Sequence, residues 1–344
     1  MPRGEAARSG CRRFDFCGKK RYGCRNMKYI PDYPETTPLE LAMRDEVAPC
    51  TDRLKDGACE FSFASMFLHR HKYRYRVSRL NADSLMLAGT EPDHAMSGRP
   101  GASFFSVAGA PPPVALAETL VGRYGMWKTV TASVHAAVSA ALAEKGYVVA
   151  ESRDDFDYLY ERSDLAELRG KTFHKKKNMV NAFLASFTPD VRPLTSANAG
   201  DAQQVLETWT RARQDEADYA ECTEALSLMD ELRLDGTLVC VGGAPAAFSL
   251  GEPVAGGAVY CVHFEKGVNS YKGIFQYVNQ AAAQRLPESV HMINREQDTG
   301  DEGLRQSKMT YRPCGFVVKY LVLPPGSAKP NALPVQSTGN VNIP

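Results

Sequence analysis

The densest run of charged side chains lies at residues 294–313, directly after an apolar run that predicts a strand. Many charges and two glycines at a strand end make a poor core but a common kind of site, because strand ends hold loop residues rigidly. Thr299 or Asp301 can cap a short helix there. Arg305 and Lys308, three residues apart, would then project from one side of that helix. A surface network of ion pairs is the alternative interpretation.

A second run, residues 171–178, is strongly basic. Its polar side chains are spaced by three and four residues, so a helix would carry them on one face. Such a face could contact a polyanion, because phosphates bind clustered cations. A solvated basic surface is the alternative. The residues that share this spacing are Lys171, His174, Lys175 and Asn178.

A third group, residues 263–266, combines a histidine, an acid and a lysine at the predicted end of an apolar strand. An acid and a cation at such a position could take part in proton transfer. Alternatively, Glu265 forms an ion pair with a nearby cation: Lys266, Arg295 or Arg305.

Composition places the chain among ordinary globular proteins. It has 344 residues, of which 44% are apolar, and 41 basic residues stand against 40 acidic ones. Wholesale disorder, a collagenous repeat and a disulfide-dense small protein are thereby excluded. The longest weakly polar stretch, residues 238–250, is too short to span a bilayer, and no signal-peptide pattern is visible. We therefore expect a soluble, cytoplasmic protein without a transmembrane segment.

The nine cysteines indicate no metal site. Their odd number, wide scatter and lack of a C-x-x-C pair argue against a disulfide framework or a zinc site. Cys11, Cys17 and Cys24 are evenly spaced, but no histidine lies near them. We expect reduced thiols. No glycine-rich nucleotide-binding loop follows any predicted strand.

Charge is concentrated at the N-terminus. Residues 1–30 hold nine basic and two acidic residues, a net charge of +7, so the remainder carries −6 of the total of +1. We predict a disordered basic arm over residues 1–38 that could touch nucleic acid or anionic lipid. A gene start placed too early, with the functional chain beginning near Met27, is the other interpretation. Residues 324–344, rich in proline, predict a flexible tail.

The body between arm and tail predicts a mixed fold, α/β or α+β, with a partly antiparallel sheet. Helical spacing predicts helices over residues 38–48, 114–124, 130–145, 166–187, 201–215, 219–234, 273–285 and 300–309, with an apolar, aromatic run at 60–68. Alternating or continuous apolar runs predict strands over 73–77, 84–88, 147–151, 156–160, 237–241, 246–250, 258–264, 290–295 and 316–323.

Taken together and in order, these segments resemble the C-terminal-domain family of phosphatidylglycerol lysyltransferase, long described as a domain of unknown function. The resemblance covers nearly the whole body, and its most specific motif is the last one. The matching stretches are residues 59–67, 157–160, 164–171, 174–178, 263–266 and 294–313.

The resemblance implies tandem GNAT-like domains, which we place at residues 39–163 and 164–323, with mixed, mostly antiparallel sheets flanked by helices. It also implies kinship with enzymes that transfer an aminoacyl group from aminoacyl-tRNA in the cleft between the two domains. The functional positions that it implies are Lys176, Lys177, Asn178, Arg295, Asp298, Asp301, Arg305 and Lys308.

The leading hypothesis is an aminoacyl or acyl transferase with an unidentified amine or hydroxyl acceptor. Glu265 or Asp298 would be the base, and Arg305 and Lys308 would stabilise the oxyanion. A tRNA partner would bind through the basic run, and no further cofactor is firmly implied. The full set of substrate-binding candidates is His174, Lys175, Lys176, Lys177, Asn178, Arg295, Glu296, Asp301 and Tyr311.

Two alternatives stay open. A CoA-dependent N-acyltransferase, with acetyl-CoA or another acyl-CoA as donor, would need a glycine-rich turn at a helix start for the pyrophosphate. Residues 269–275 stand at that place and offer one glycine, without the full motif. A non-catalytic binding protein on the same fold is the second alternative, because a fold does not determine a function.

Overall fold

The structure, a computed structural model, describes residues 28–52, 54–92, 99–213 and 218–328. Most of the predicted arm, most of the predicted tail and the three evenly spaced cysteines therefore lie outside the described residues. Within the described ranges, every helix is too short or too polar to cross a membrane.

Helices and strands alternate along the chain in the mixed pattern that the sequence predicts. The helices are α1 Arg44–Thr51, α2 Phe63–Leu68, α3 Val114–Tyr124, α4 Ala132–Glu144, α5 Arg162–Glu167, α6 His174–Ser186, α7 Ala199–Arg213, α8 Tyr219–Ser227, α9 Met229–Leu232, α10 Ile274–Arg285 and α11 Glu302–Met309. The strands are β1 Thr37–Pro38, β2 Arg76–Asn81, β3 Ser84–Thr90, β4 Ser103–Gly109, β5 Trp127–Thr131, β6 Val148–Glu151, β7 Asp157–Glu161, β8 Pro189–Leu194, β9 Asp235–Val241, β10 Ala244–Val254, β11 Val259–Gly267, β12 Met292–Asn294, β13 Gly315–Val317 and β14 Lys319–Leu323.

The strands form two seven-stranded sheets. The first sheet has the order β1-β2-β3-β4-β5-β14-β6, and the second has the order β13-β7-β12-β11-β10-β9-β8. Among the described strands, β4–β5 and β11–β12 pair in parallel, and the other pairs are antiparallel. The predicted fold class, mixed and mostly antiparallel sheets flanked by helices, is confirmed.

Two strands tie the halves of the chain together. The predicted single strand over 316–323 is wrong: β13 pairs with β7 in the second sheet, whereas β14 pairs with β5 and β6 in the first. Val318 alone separates the two strands, so the chain passes between the sheets within one residue. β7 itself precedes residue 163 but belongs to the second sheet. The proposed domain limits at 163 and 164 stay a prediction.

Two strands were missed, and one helix was predicted too long, for identifiable reasons. β8 carries two prolines, which remove ladder donors, and it accordingly lies at the edge of its sheet. β5 ends in residues that the helical pattern over 130–145 had absorbed, and α4 begins only at Ala132. The predicted helix over 166–187 is also interrupted, because Leu168 and Gly170 adopt positive φ values of 47° and 79°. That interruption makes α6 a separate helix.

A shared apolar core joins the two sheets. One cluster of buried side chains includes Val77 and Leu87 from the first sheet and Leu238 and Phe248 from the second, with α1, α2, α7 and α8 contributing to the same cluster. Burial of apolar surface stabilises by about 25 cal/mol per Å². The two halves are therefore held together by their helices as well as by the exchanged strands.

A buried ion pair lies at the same junction. Lys319, the first residue of β14, has no exposed surface, and its Nζ donates to Asp157 Oδ1 of β7 at 2.6 Å and to Glu60 Oε2 at 2.5 Å. Asp157 also accepts from the Cys59 backbone N–H at 2.9 Å and from Asn294 Nδ2 at 2.9 Å. A charge from the first sheet is thus neutralised by one from the second.

We expect Lys319→Ala to destabilise the protein by about 3–5 kcal/mol, because it leaves two carboxylates buried without their cation. Urea unfolding followed by circular dichroism measures the change. Arg192→Ala is the control, since Arg192 pairs with Asp190 on the surface, and this variant should change stability little. Equal shifts for the two variants would contradict a special role for Lys319.

Candidate functional site

A cleft lies where the first sheet, α2 and the loop after β12 meet. Aromatic rings of Tyr73, Tyr75 and Phe104 form part of its wall. Its polar lining comes from both halves of the chain: Glu60, His69, Lys128, Asp155, Glu296 and Gln297. A concave site with a few convergent polar groups is the usual form of a small-molecule site.

Glu60 is the carboxylate of this cleft with the most altered acidity. Burial raises its pKa to about 7, although the ammonium of Lys319 acts in the opposite direction. Its side chain remains 21% exposed, and Lys319 Nζ and the Cys59 thiol both contact Oε2. A carboxylate with a pKa near neutrality can gain and lose a proton at physiological pH.

The loop after β12 is held in a strained shape at the cleft. Glu296 has φ of 57°, a value that non-glycine residues rarely adopt. Lys308 Nζ donates to the backbone carbonyls of Glu296 and Gln297 at 3.1 and 2.5 Å. The Glu296 backbone N–H donates to Asn294 Oδ1 at 2.7 Å. Strain of this kind is concentrated at functional sites.

Lys308 is a buried amine with lowered basicity. Burial lowers its pKa to about 8. Two of its three N–H groups are used by the loop carbonyls, so one donor is left for another acceptor. The prediction that Arg305 and Lys308 project from one side of the helix is confirmed, since both contact residues 296–298.

Asp298 is enclosed by two guanidinium groups and one hydroxyl. It is fully buried and accepts from Arg305 Nε at 3.0 Å, Arg153 Nη1 at 3.2 Å and Tyr158 Oη at 2.5 Å. Burial acts to raise the pKa of Asp298, but the hydrogen bonds from Arg305 and Tyr158 outweigh it, so the pKa lies below its usual value. Asp298 therefore serves well as an anchor for Arg305 and poorly as a proton acceptor.

Glu265 is also paired. Arg295 Nη2 donates to Glu265 Oε1 at 2.9 Å, and Asn279 Nδ2 donates to Oε2 at 3.3 Å. The alternative that Glu265 simply forms an ion pair is thus seen with Arg295. Lys266 instead binds Asp218 at 2.7 Å. Asp301 caps α11 by accepting from the Leu304 N–H at 2.7 Å.

The basic run, residues 171–178, leads into the first turn of α6. One of its lysines packs against an aromatic ring, and its other polar side chains are exposed. Lys176 lies over the Tyr311 ring at 3.9 Å, and Arg295 stacks on the same ring at 5.0 Å. Burial lowers the pKa of Lys176. The remaining members of the run, exposed at the surface, are Lys171, His174, Lys175, Lys177 and Asn178. Tyr311 therefore connects the basic helix to the loop that lines the cleft.

His263 lies between two carboxylates. Its Nδ1 is 2.8 Å from Glu296 Oε1, and its Nε2 is 3.1 Å from Glu252 Oε1. Burial alone would lower the pKa of His263, but Cys261 and the two carboxylates raise it well above its usual value. Glu296 thus links this buried group to the cleft.

The start of α10, where the pyrophosphate of an acyl-CoA donor would bind, packs against α6. Gly273 precedes α10 with φ of 92°. A Cβ at this position would lie 2.5 Å from the Met179 carbonyl oxygen of α6. The single glycine of residues 269–275 is therefore required by the contact between α6 and α10.

Sequence reasoning missed several cleft residues. Glu60 lies in an aromatic run whose pattern is typical of a buried core. The family resemblance rests in part on the same stretch, residues 59–67. Lys128 is a lone charge in a strand, and Asp155 lies in a short charged turn that matches no motif. Lys319 has no sequence signal, because its role depends on the passage of the chain between sheets.

Two mixed sheets with a charged cleft at their junction define a two-part α/β protein, and comparison with known proteins gives the family. The chain matches the family described as phosphatidylglycerol lysyltransferase, C-terminal, over residues 51–323. This match covers most of the chain, so the chain belongs to that family.

Two solved structures and one further protein are similar to this chain. A conserved protein of unknown function from Bacteroides thetaiotaomicron is 26% identical, with a TM-score of 0.74, over 84% of this chain and 98% of the other. L-PGS from Bacillus licheniformis is 13% identical, with a TM-score of 0.59, over 88% and 96%. An uncharacterized protein of Mycoplasmoides gallisepticum is 22% identical over 185 residues, 51% of this chain and 58% of that relative. The matched region thus spans little more than half of that relative's length.

We expect Asp298→Asn to lower the free energy of unfolding by about 1–3 kcal/mol at pH 7, because charge-assisted hydrogen bonds are lost. The folded-state pKa is depressed, so this stabilisation is present above the ordinary aspartate value of about 3.9 and is lost as pH falls below it. Urea unfolding from pH 7 to pH 3 should therefore show the difference from the unmodified protein shrinking. Asp301→Asn, which keeps the cap, should show little change. A difference that is constant with pH would contradict the assignment.

Proposed function

We propose that this chain is a GNAT-like transferase that moves an aminoacyl group from aminoacyl-tRNA to an amine or hydroxyl acceptor in the cleft. Family membership supports a transferase of this kind. The observation that carries the proposal is the continuous path from the exposed cations of α6, through Tyr311 and Arg295, to the loop that lines the cleft.

Donor binding would depend on α6. Lys171, His174, Lys175, Lys177 and Asn178 are exposed and could contact phosphates without large desolvation. Lys176 and Arg295, both stacked on Tyr311, would fix the angle between the helix and the cleft. Bound in this way, a tRNA would direct its amino acid end toward the cleft while its backbone stays on the surface.

Proton transfer would fall to Glu60. An attacking amine or hydroxyl must lose a proton as the ester carbonyl is attacked, and the base must lie in the cleft with a suitable pKa. Glu60 meets both conditions. Glu265 and Asp298, the candidates from the sequence, are held in ion pairs, and we assign them the positioning of Arg295 and Arg305.

Oxyanion stabilisation would fall mainly to Lys308. Arg305 is engaged by Asp298 and by Asp154 at 2.7 Å, whereas Lys308 keeps one donor. With a pKa of about 8, Lys308 is mostly protonated at pH 7. A preorganised donor of this kind commonly contributes about 2.7–4 kcal/mol to acyl transfer.

Binding to mixed aminoacylated tRNA should be strong at low salt and fall steeply as salt rises. In the double variant Lys175→Ala/Lys177→Ala, the slope of log affinity against log salt should drop by about two, because each lost phosphate contact removes about one. Fluorescence anisotropy measures both quantities. The control is Lys145→Ala/Arg211→Ala, which removes two exposed cations from α4's end and α7.

Absence of salt-sensitive tRNA binding by the unmodified protein would contradict the proposal. A rise in melting temperature with acetyl-CoA, without tRNA binding, would favour the acyl-CoA alternative. If the protein binds neither tRNA nor acetyl-CoA, a binding protein without transferase activity is favoured.

Glu60→Gln should lower transfer by about 10²–10⁴-fold, since general-base catalysis contributes that much. The assay follows a labelled amino acid from aminoacyl-tRNA into acceptors of a total lipid and metabolite extract. The rate of the unmodified protein should rise with pH through about 7, where Glu60 loses its proton. Glu60→Asp should keep this pH limb with a reduced rate. If the rate of Glu60→Gln still rises with pH through about 7, another residue is the base.

A further inference from the structure

We propose that Cys261, His263 and Glu296 form a binding site for one divalent metal ion of the zinc type. The Cys261 Sγ lies 3.9 Å from His263 Nδ1 and 3.9 Å from Glu296 Oε1, and the latter two atoms are 2.8 Å apart. All three side chains thus aim one potential ligand atom at a common point. The argument for the site does not rest on the proposed function.

Strand geometry brings the ligands together. Cys261 and His263 are two residues apart in β11, so their side chains lie on the same face of the sheet. Glu252 of β10 pairs directly with Cys261, which places its carboxylate beside His263. Glu296 enters from the strained loop after β12, whose shape Lys308 maintains. The site is therefore built on rigid elements.

The gap between His263 and Glu296 must hold a cation. With Nε2–H donated to Glu252, a neutral imidazole would turn the Nδ1 lone pair toward a carboxylate 2.8 Å away. Either a second proton or a metal ion removes that repulsion. A carboxylate on the distal nitrogen of a metal-bound histidine is the common outer-shell arrangement, and here Glu252 supplies it.

Cys261 favours the metal over the proton. A thiol 3.9 Å from both atoms adds little to an imidazolium–carboxylate pair, but it completes a set of three ligands. An ion at the centre of the triangle would stand about 2.1 Å from each atom, close to zinc bond lengths of roughly 2.0–2.3 Å. Sulfur, nitrogen and oxygen donors together suit a borderline ion such as Zn²⁺ or Co²⁺.

The other cluster of similar composition already has its cation. Cys59, Glu60 and Asp157 also place ligand atoms near one another. Lys319 Nζ lies 2.5 Å from Glu60 Oε2, 2.6 Å from Asp157 Oδ1 and 4.0 Å from Cys59 Sγ. At the His263 cluster, no lysine or arginine of the described residues contacts the three ligand atoms. The contrast selects the His263 cluster as the metal site.

Binding would exchange protons for the ion. Zn²⁺ would displace the thiol proton of Cys261 and the Nδ1 proton of His263, and both protons would pass to solvent. Glu296 lines the cleft, so the ion's fourth position would face that side. Three protein ligands with one open position are the usual arrangement of an accessible zinc site.

The test uses the full chain, stripped with a chelator and dialysed, and then titrated with Zn²⁺ and with Co²⁺. We expect one ion per chain that survives gel filtration, release of protons on binding, and a thiolate-to-cobalt charge-transfer band. Cys261→Ser should abolish that band. Glu252→Gln should keep the band and weaken affinity by about 10–100-fold, as outer-shell changes do.

The matched control is Cys222→Ser, a buried thiol in α8, which should leave stoichiometry and band unchanged. Circular dichroism establishes that each variant is folded, and Glu252→Gln keeps the test informative if Cys261→Ser does not fold. Failure of the unmodified protein to retain an ion, or a band that survives in folded Cys261→Ser, would overturn the proposal. The gap would then hold only a proton.

Discussion

The contact between Lys319 and Asp157 is the constraint on which the junction of the molecule depends. It joins the first residue of β14 to the first residue of β7, and so it links the two sheets at the point where the chain crosses between them. A buried charge pair contributes little net stability by itself, but it penalises any arrangement that separates the partners. Lys319 also binds Glu60, so the interaction that aligns the sheets also opposes the rise that burial causes in the pKa of a cleft carboxylate.

The loop after β12 extends this constraint into the cleft. Asn294 donates to Asp157 on one side, while Lys308 holds the carbonyls of Glu296 and Gln297 on the other. Asp298, enclosed by Arg305 and its neighbours, fixes the loop's far end. A single short segment is thus held by side chains from β7, β12 and α11, which explains how a strained φ at Glu296 is maintained.

Sequence reasoning found the parts of the fold that depend on local pattern. The amphipathic helix α3 and the strands β9 and β10 follow from periodicity, and Asp301 follows from cap chemistry. Prolines concealed β8, and a continuous apolar run concealed the break at Val318 between β13 and β14. The charged run around Asp298 was also visible, but the pairing of its members was not. Which carboxylate remains available depends on contacts between distant residues, as for Glu60 and Lys319, which are 259 positions apart.

Pairing also determines where chemistry can occur. A group that is already neutralised by a close partner must give up that partner before it can act on a substrate, and this cost is high when the pair is buried. By this criterion Asp298, Arg305 and Glu265 are occupied. Glu60 is paired too, with Lys319, but burial still raises its pKa to about 7. Burial lowers the pKa of Lys308 to about 8. Glu60 lines the cleft, and Lys308 holds the loop that lines it. An acid and an amine whose pKa values lie near neutrality are suited to exchange protons.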